Sequence, residues 1–267
     1  MPEPDDAPRA GALPTVLATL TGTLYMVAGT LLFAVAAMIA AAIPPRGHWH
    51  HRVGRAWAKG LLAASWVRLE VESEAAAGAG GGSVFMANHE SLFDIPALLA
   101  SLPGETKFLA KSSLFKIPIF GWALHAGGFV PIDRKDRSTA RESFAAAIAE
   151  LARGASVLIF PEEERTLDGR VLPFQRGGFL LALKSGLPIV PVGIEGAFEV
   201  QHRRSFLIRP GTVRVRYGRP IEVAGQAISG LRGLTEATRA RVAELARAEL
   251  STAQTPPPGA ARKDSRT

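Results

Sequence analysis

Apolar and polar positions divide the chain into three stretches with different periods. From residue 13 to 43 nearly every residue is apolar and none is charged, well beyond the roughly 20 residues that a membrane-crossing helix needs. The flank before it carries Glu3, Asp5 and Asp6, and the run outlasts the ~7 to 15-residue core of a cleaved signal peptide. A retained anchor is therefore expected, either as a tilted span or as two helices in one leaflet with a turn near Gly29. Pro44 and Pro45 end the run. Residues 49–67 then set Trp57, Leu61, Leu62 and Trp66 among basic residues, which fits a helix lying at the bilayer interface and equally an amphipathic helix facing a core.

Past Val67 the pattern changes to short apolar runs separated by helical stretches. Strands are expected over 67–71, 84–87, 108–110, 129–132, 157–160, 189–194 and 213–217. One helix should begin with Ser138 as N-cap, carry Phe144, Ile148 and Leu151 on one face and stop at Gly154. Another is expected over 235–250, with Val242 and Leu245 inward. Strands alternating with helices predict an α/β fold, a twisted mixed sheet flanked by helices, preceded by an N-terminal membrane-embedded helical segment. The expected organisation is a disordered terminus over 1–12, an anchor and interfacial helix over 13–66, a catalytic domain over 67–251 and a disordered tail over 252–267. The glycine cluster 78–82 precedes a strand instead of joining a strand to a helix, so it does not read as a phosphate loop.

Composition narrows the function. The 267 residues are 47% hydrophobic and include no cysteine, which affords one sizeable core and excludes disulfides, thiol nucleophiles and cysteine metal sites. A net charge of +7 favours an anionic partner. The Lys and Arg residues are scattered, with no aromatic RNP-like stretch, which argues against nucleic acid and leaves lipid or a phosphorylated small molecule. Arg46, Arg52, Arg55 and Lys59 follow the apolar run, whereas only Arg9 precedes it among acids. The positive-inside rule then puts the catalytic domain on the cytoplasmic face.

Polar side chains gather at one strand-to-helix junction, Asn88-His89-Glu90-Ser91-Leu92-Phe93-Asp94. In α/β folds this edge is where ligands usually sit. Asp94, near the start of the helix, can reach back to one imidazole nitrogen of His89 and leave the other free to take a proton, as in the His-Asp half of a hydrolase triad. The same spacing, Ser91-x-x-Asp94, is also a capping box, in which Asp94 would only bond a helix-terminal N–H. Ser91 lacks the G-x-S-x-G elbow of a nucleophile.

A series of blocks between Phe85 and Tyr217 resembles the glycerolipid acyltransferase family. Asn88-His89-x-Ser91-x-x-Asp94 is similar to its N-H-x-x-x-x-D signature. Lys111-Ser112-Ser113-Leu114 followed by Ile117-Pro118-x-x-Gly121, then Gly128 through Arg134, then Phe160-Pro161-Glu162 with Arg165, then Val190-Pro191-Val192-Gly193 resemble its later blocks in order. The resemblance implies transfer of an acyl group from acyl-CoA or acyl-carrier-protein to the hydroxyl of a lysophospholipid, 1-acylglycerol-3-phosphate first among them. It assigns His89 as base, Asp94 as its orienting carboxylate, and Asn88, Ser91, Lys111, Arg134, Glu162 and Arg165 to the acceptor site. Membrane lipids are the implied surroundings, and neither a metal nor a cofactor beyond the acyl donor is implied.

One departure stands out. Where that family has Gly and Thr after the glutamate, this chain has Glu163 and Glu164. Two carboxylates would repel a phosphate unless they point away, so another acceptor, such as a lyso-ornithine lipid, or a catalytically silent lipid binder on the same fold, is the alternative.

Overall fold

A computed structural model describes residues 11–43, 48–75, 82–132 and 137–252. Residues 1–10 and 253–267 of the expected disordered ends, residues 78–81 of the glycine cluster, Asp133 and Arg134 lie outside the described residues, whereas Ala12, expected in the disordered terminus, already begins a helix.

The apolar run is one helix, Ala12–Ala42, made of α1 (Ala12–Leu24), a π-turn (Tyr25–Gly29) and α2 (Thr30–Ala42). The turn near Gly29, one of the two arrangements the run allows, does not occur there. The helix instead widens by one π-turn, a common way to absorb an extra residue without breaking the ladder. Its buried stripe is small, with Ala18, Gly22, Gly29, Ala34, Ala37 and Ala40, while Leu13, Leu20, Leu24, Val27 and Leu32 stay exposed. The small residues permit close approach to α3 (His48–Ala64). Thr21 Oγ1 donates to Ala64 O, Tyr25 lies over Gly60 and Trp57 Nε1 donates to Thr30 Oγ1 at 3.1 Å. These pairings run in opposite sequence directions, so α3 lies antiparallel along the apolar helix.

The domain is built on a seven-stranded sheet: β1 (Val67–Ser73), β2 (Val84–Ala87), β3 (Thr106–Lys111), β4 (Val130–Ile132), β5 (Ser156–Ile159), β6 (Ile189–Glu195) and β7 (Gly211–Tyr217). The spatial order is β1-β7-β6-β2-β5-β3-β4. Strands β6, β2, β5, β3 and β4 run parallel, whereas β7 pairs antiparallel with β6 and carries β1 with it. The sheet is therefore mixed. β2 and β5 are buried on both faces, as strands sandwiched by helices must be.

The remaining helices are α4 (Asp94–Ser101), α5 (Phe120–Ala126), α6 (Arg137–Ala152), α7 (Gly177–Ser185), α8 (Ala197–Val200) and α9 (Leu231–Ala246). Phe85, Ala87, Leu158 and Val192 pack with Leu62, Leu98 and Leu102 of α3, α4 and the turn after it. On the opposite face Val84, Met86, Val157 and Ile159 pack with Leu151, Phe179 and Val242 of α6, α7 and α9. Gly193 is required by this layering, because a Cβ there would meet the α9 backbone, Ala246 N, at 2.3 Å. The helix expected over 235–250 begins four residues earlier, at Leu231, and ends at Ala246.

Parallel pairing brings the carboxyl ends of β6, β2, β5 and β3 to a single edge. The turn with His89, the Phe160–Arg165 segment, the loop after α8 and Lys111 all start from it.

Candidate active site

β2 ends at Ala87 because Asn88 takes over its pairing with a side chain. Asn88 Oδ1 accepts the Ile194 N–H at 2.7 Å and Nδ2 donates to Ile194 O at 2.9 Å, which continues the β2–β6 ladder for one residue while the backbone peels away. The next six residues form the turn into α4, whose first residue is Asp94.

Asp94 is fully buried, and its Oδ2 gathers three donors. The Glu90 and Ser91 backbone N–H groups donate at 2.8 and 3.0 Å, and His89 Nδ1 lies at 2.7 Å. An oxygen that accepts two backbone N–H bonds is an acceptor toward the imidazole as well, so the network assigns the proton to Nδ1. Nε2 is left as the basic nitrogen. The two readings of this spacing are thus the same structure, since Asp94 caps the turn and orients His89 with one oxygen. The His89 ring stacks on Phe160, with centroids 4.1 Å apart and planes at 21°, which restricts its rotation.

The His89 backbone is held from both sides by the segment after β5. Its N–H donates to Glu162 Oε1 at 2.7 Å and its C=O accepts the Thr166 N–H at 2.9 Å. Glu162 Oε2 accepts the Leu172 N–H at 2.8 Å, and Arg239 donates to the Leu172 and Val171 carbonyls. Burial pushes the Glu162 carboxyl up to about 8, opposed by its two N–H donors and aided by the Asp94 charge. Expected among the acceptor contacts, Glu162 instead spends both oxygens on the backbone and is 1% exposed. Its position supports the catalytic turn.

Asn88 and Ser91 are likewise placed inside the scaffold and not toward a ligand. Ser91 is fully buried, and its Oγ donates to Gln201 O at 2.9 Å. Glu90, not anticipated as part of the site, is buried with Oε1 accepting the Phe198 N–H at 3.0 Å. Burial, then the nearby Asp94 charge, push its carboxyl well above the usual range. It fixes the start of α8 and with it the loop that follows. No periodicity marks such a residue.

Two cations do reach the open edge. Arg165 is half-buried, and among the described residues no carboxylate pairs with it. Burial, then the neighbouring Arg203 guanidinium, push its pKa down, while Asp94 opposes them. Arg165 is therefore within electrostatic range of the dyad carboxylate. Lys111 is exposed at the end of β3, two strands or ~10 Å across the sheet from β2.

The two unexpected glutamates divide. Glu164 Oε2 pairs with Arg203 Nη2 at 3.0 Å, and Arg203 Nη1 donates to Arg165 O at 2.6 Å. Its charge is thereby balanced at the rim. Glu163 takes the left-handed conformation, φ 65°, which is costly for any side chain but glycine. It lines a cavity of about 370 Å³ with Leu109, Phe144, Ile159, Phe160 and Leu181. Phe160 thus touches both the imidazole and a mainly apolar space. Among the described residues no group of three His, Asp or Glu could hold a metal ion.

A histidine held by a buried carboxylate at the carboxyl edge of an α/β sheet, with two cations and an apolar cavity alongside, has the parts that general-base activation of a hydroxyl needs. Comparison with known proteins points the same way: the Acyltransferase family model matches residues 68–195. The relatives are more particular. The chain is 33% identical to the chloroplastic 1-acyl-sn-glycerol-3-phosphate acyltransferase BAT2 of Brassica napus, over 66% of this chain and 51% of that one. It is 34% identical to LPAT1 of Arabidopsis thaliana, of the same name, over 67% and 50%. The chain thus spans about half the length of these curated relatives. The solved 1-acyl-sn-glycerophosphate (LPA) acyltransferase PlsC of Thermotoga maritima superposes with a TM-score of 0.75 at 25% identity, covering 90% of this chain and 99% of that one.

Proposed function

We propose that this protein transfers a fatty acyl group from a thioester, acyl-CoA or acyl-carrier-protein, to the free hydroxyl of 1-acylglycerol-3-phosphate, giving phosphatidic acid. The observation that carries this reading is the His89–Asp94 contact of 2.7 Å, which leaves Nε2 as the basic nitrogen. Nε2 takes the proton of the acceptor hydroxyl as its oxygen attacks the thioester carbonyl carbon. The C–S bond then breaks, and the leaving sulfur receives the proton from His89. The buried Asp94 carboxylate stabilises the imidazolium between these steps.

Arg165 and Lys111 supply charge for the acceptor's phosphate, Arg165 through a planar fork suited to phosphate oxygens. Balancing of Glu164 by Arg203 supports a phosphate-bearing acceptor over a less anionic one. The cavity beside Phe160 is suited to an acyl chain. Membrane attachment is through the exposed face of the apolar helix Ala12–Ala42, long and apolar enough to cross a membrane, with the catalytic domain on the cytoplasmic face.

The test is purified protein with acyl-CoA and a panel of lyso acceptors, read as thiol release. Release with 1-acylglycerol-3-phosphate that falls about 10²–10⁴-fold in His89→Ala is expected. No release with any acceptor, or turnover unchanged by His89→Ala, would overturn the reading.

A further inference from the structure

The loop between α8 and β7 connects the active-site edge to the apolar helix. It closes at its base, where the Arg209 N–H donates to Val200 O at 2.9 Å. One shoulder is fastened to the site: Gln201 O accepts Ser91 Oγ, and Arg203 bonds Arg165 O and Glu164. The other shoulder is fastened to α1, where the Ile208 N–H donates to Thr19 Oγ1 at 2.9 Å. The tip is a formed turn, with Ser205 N–H donating to His202 O and Leu207 N–H donating to Ser205 Oγ.

At that tip Phe206 is 91% and Leu207 47% exposed. A lone exposed apolar residue is ordinary. Here the pair directly precedes Ile208, which is bonded to Thr19 of α1, where Val16 and Leu20 are exposed too, and Arg203 and Arg204 precede the pair with only Ser205 between. Exposed apolar side chains close in sequence to a pair of arginines suit the layering of a bilayer surface, with acyl chains inside and phosphates at the level of the cations.

We propose that the loop 201–208 is a second membrane contact, a lip whose Phe206 and Leu207 enter the acyl layer and seat the His89 site at the level of lipid headgroups. The occupant is the lipid bilayer. The proposal rests on the lipid-acceptor reading only for its purpose, since insertion itself needs no turnover.

The chain has no cysteine, so Phe206→Cys in the full-length protein accepts a single environment-sensitive fluorophore. With vesicles of phosphatidylcholine and phosphatidylglycerol its emission should shift to the blue, and lipids carrying a nitroxide on the acyl chain should quench it. Unshifted emission in protein that sediments with the vesicles overturns the proposal. So does a blue shift that needs no lipid and grows with protein concentration, which would mark contact with a second copy.

A second variant, Phe206→Asp with Leu207→Asp, separates seating from chemistry. Acylation of a vesicle-embedded acceptor should fall about tenfold or more, while acylation of a short-chain acceptor dissolved as monomers stays within about twofold. Equal loss in both assays would place the loop's role inside the site and sink the lip. Absence of turnover in the unsubstituted protein would count against acyl transfer and leave the fluorescence to decide on the loop.

Discussion

Glu162 Oε1 accepts the backbone N–H of His89 at 2.7 Å while Oε2 accepts that of Leu172 at 2.8 Å. One side chain thereby ties the catalytic turn to a segment ten residues further along its own loop. Glu162→Gln keeps the shape but turns an NH₂ toward one of the two N–H groups, leaving it unpaired at a cost of about 1–3 kcal/mol. The urea midpoint should fall accordingly, and kcat should fall with it because the His89 backbone loses a restraint. Unchanged stability and kcat would show that neither bond matters.

The same carboxyl sets a pH dependence. Burial raises it from an ordinary 4.5 to about 8 in the folded protein. The folded chain then holds a proton that the unfolded chain has released between those limits. Stability from this group is complete below about 4.5 and is lost as pH rises through about 8. Unfolding midpoints measured across that window should decline in the unsubstituted protein more than in Glu162→Gln, which has no proton to lose. Parallel profiles would assign the decline to other groups.

For the dyad, His89→Ala should cost about 10²–10⁴ in kcat, the usual share of a positioned general base, with circular dichroism and vesicle sedimentation unchanged. Asp94 should split by substitution. Asp94→Asn retains an oxygen for the Glu90 and Ser91 N–H groups but no carboxylate for the imidazolium, so rate should fall while stability is largely kept. Asp94→Ala strands both N–H groups and should also unfold at lower urea. Equal stability of the two variants would remove the capping role.

How far the chain could be read in advance follows from where each partner lies. β2 falls on the expected residues because Val84–Ala87 are apolar on both faces and bounded by Ser83 and Asn88. The His89–Asp94 pair spans five residues, short enough for spacing alone to suggest it. α9 was misplaced at both ends. Gly230 and Gly233 disguise a start at which Leu231 and Leu234 are buried, and Arg247 ends the helix in the left-handed region, φ 52°, without a glycine to announce it. Glu90 bonds Phe198, 108 residues away, and Arg239 bonds Leu172, 67 away. Such contacts exist only once the sheet has assembled, so no local pattern marks Glu90, and the family resemblance points Glu162 to the acceptor where the fold turns both its oxygens to the backbone.

At the rim, Arg165 and Glu163 separate charge from backbone strain. Arg165→Ala removes a guanidinium within range of the dyad and should raise KM for 1-acylglycerol-3-phosphate more than it lowers kcat; an unchanged KM would take Arg165 away from the acceptor. Glu163→Gly relieves a left-handed side chain, a conformation that costs roughly 1–2 kcal/mol, and its urea midpoint should not fall. A clear loss of stability would show that the contacts of the Glu163 side chain outweigh that strain.

The cavity beside Phe160 offers the last discrimination. Gly177 lines it, and a Cβ built there meets no atom within 4 Å. Gly177→Leu would therefore add a side chain at the cavity wall without displacing the sheet. If an acyl chain occupies that space, the variant should prefer shorter donors, with kcat/KM falling for long-chain acyl-CoA and holding for short-chain acyl-CoA. The neighbouring Gly178 provides the contrast, since its Cβ would meet Ile159 Cδ1 at 3.2 Å and press on the core. Gly178→Leu should lower stability and slow all donors together. An unchanged chain-length profile in a stable Gly177→Leu variant would take the acyl chain out of this cavity.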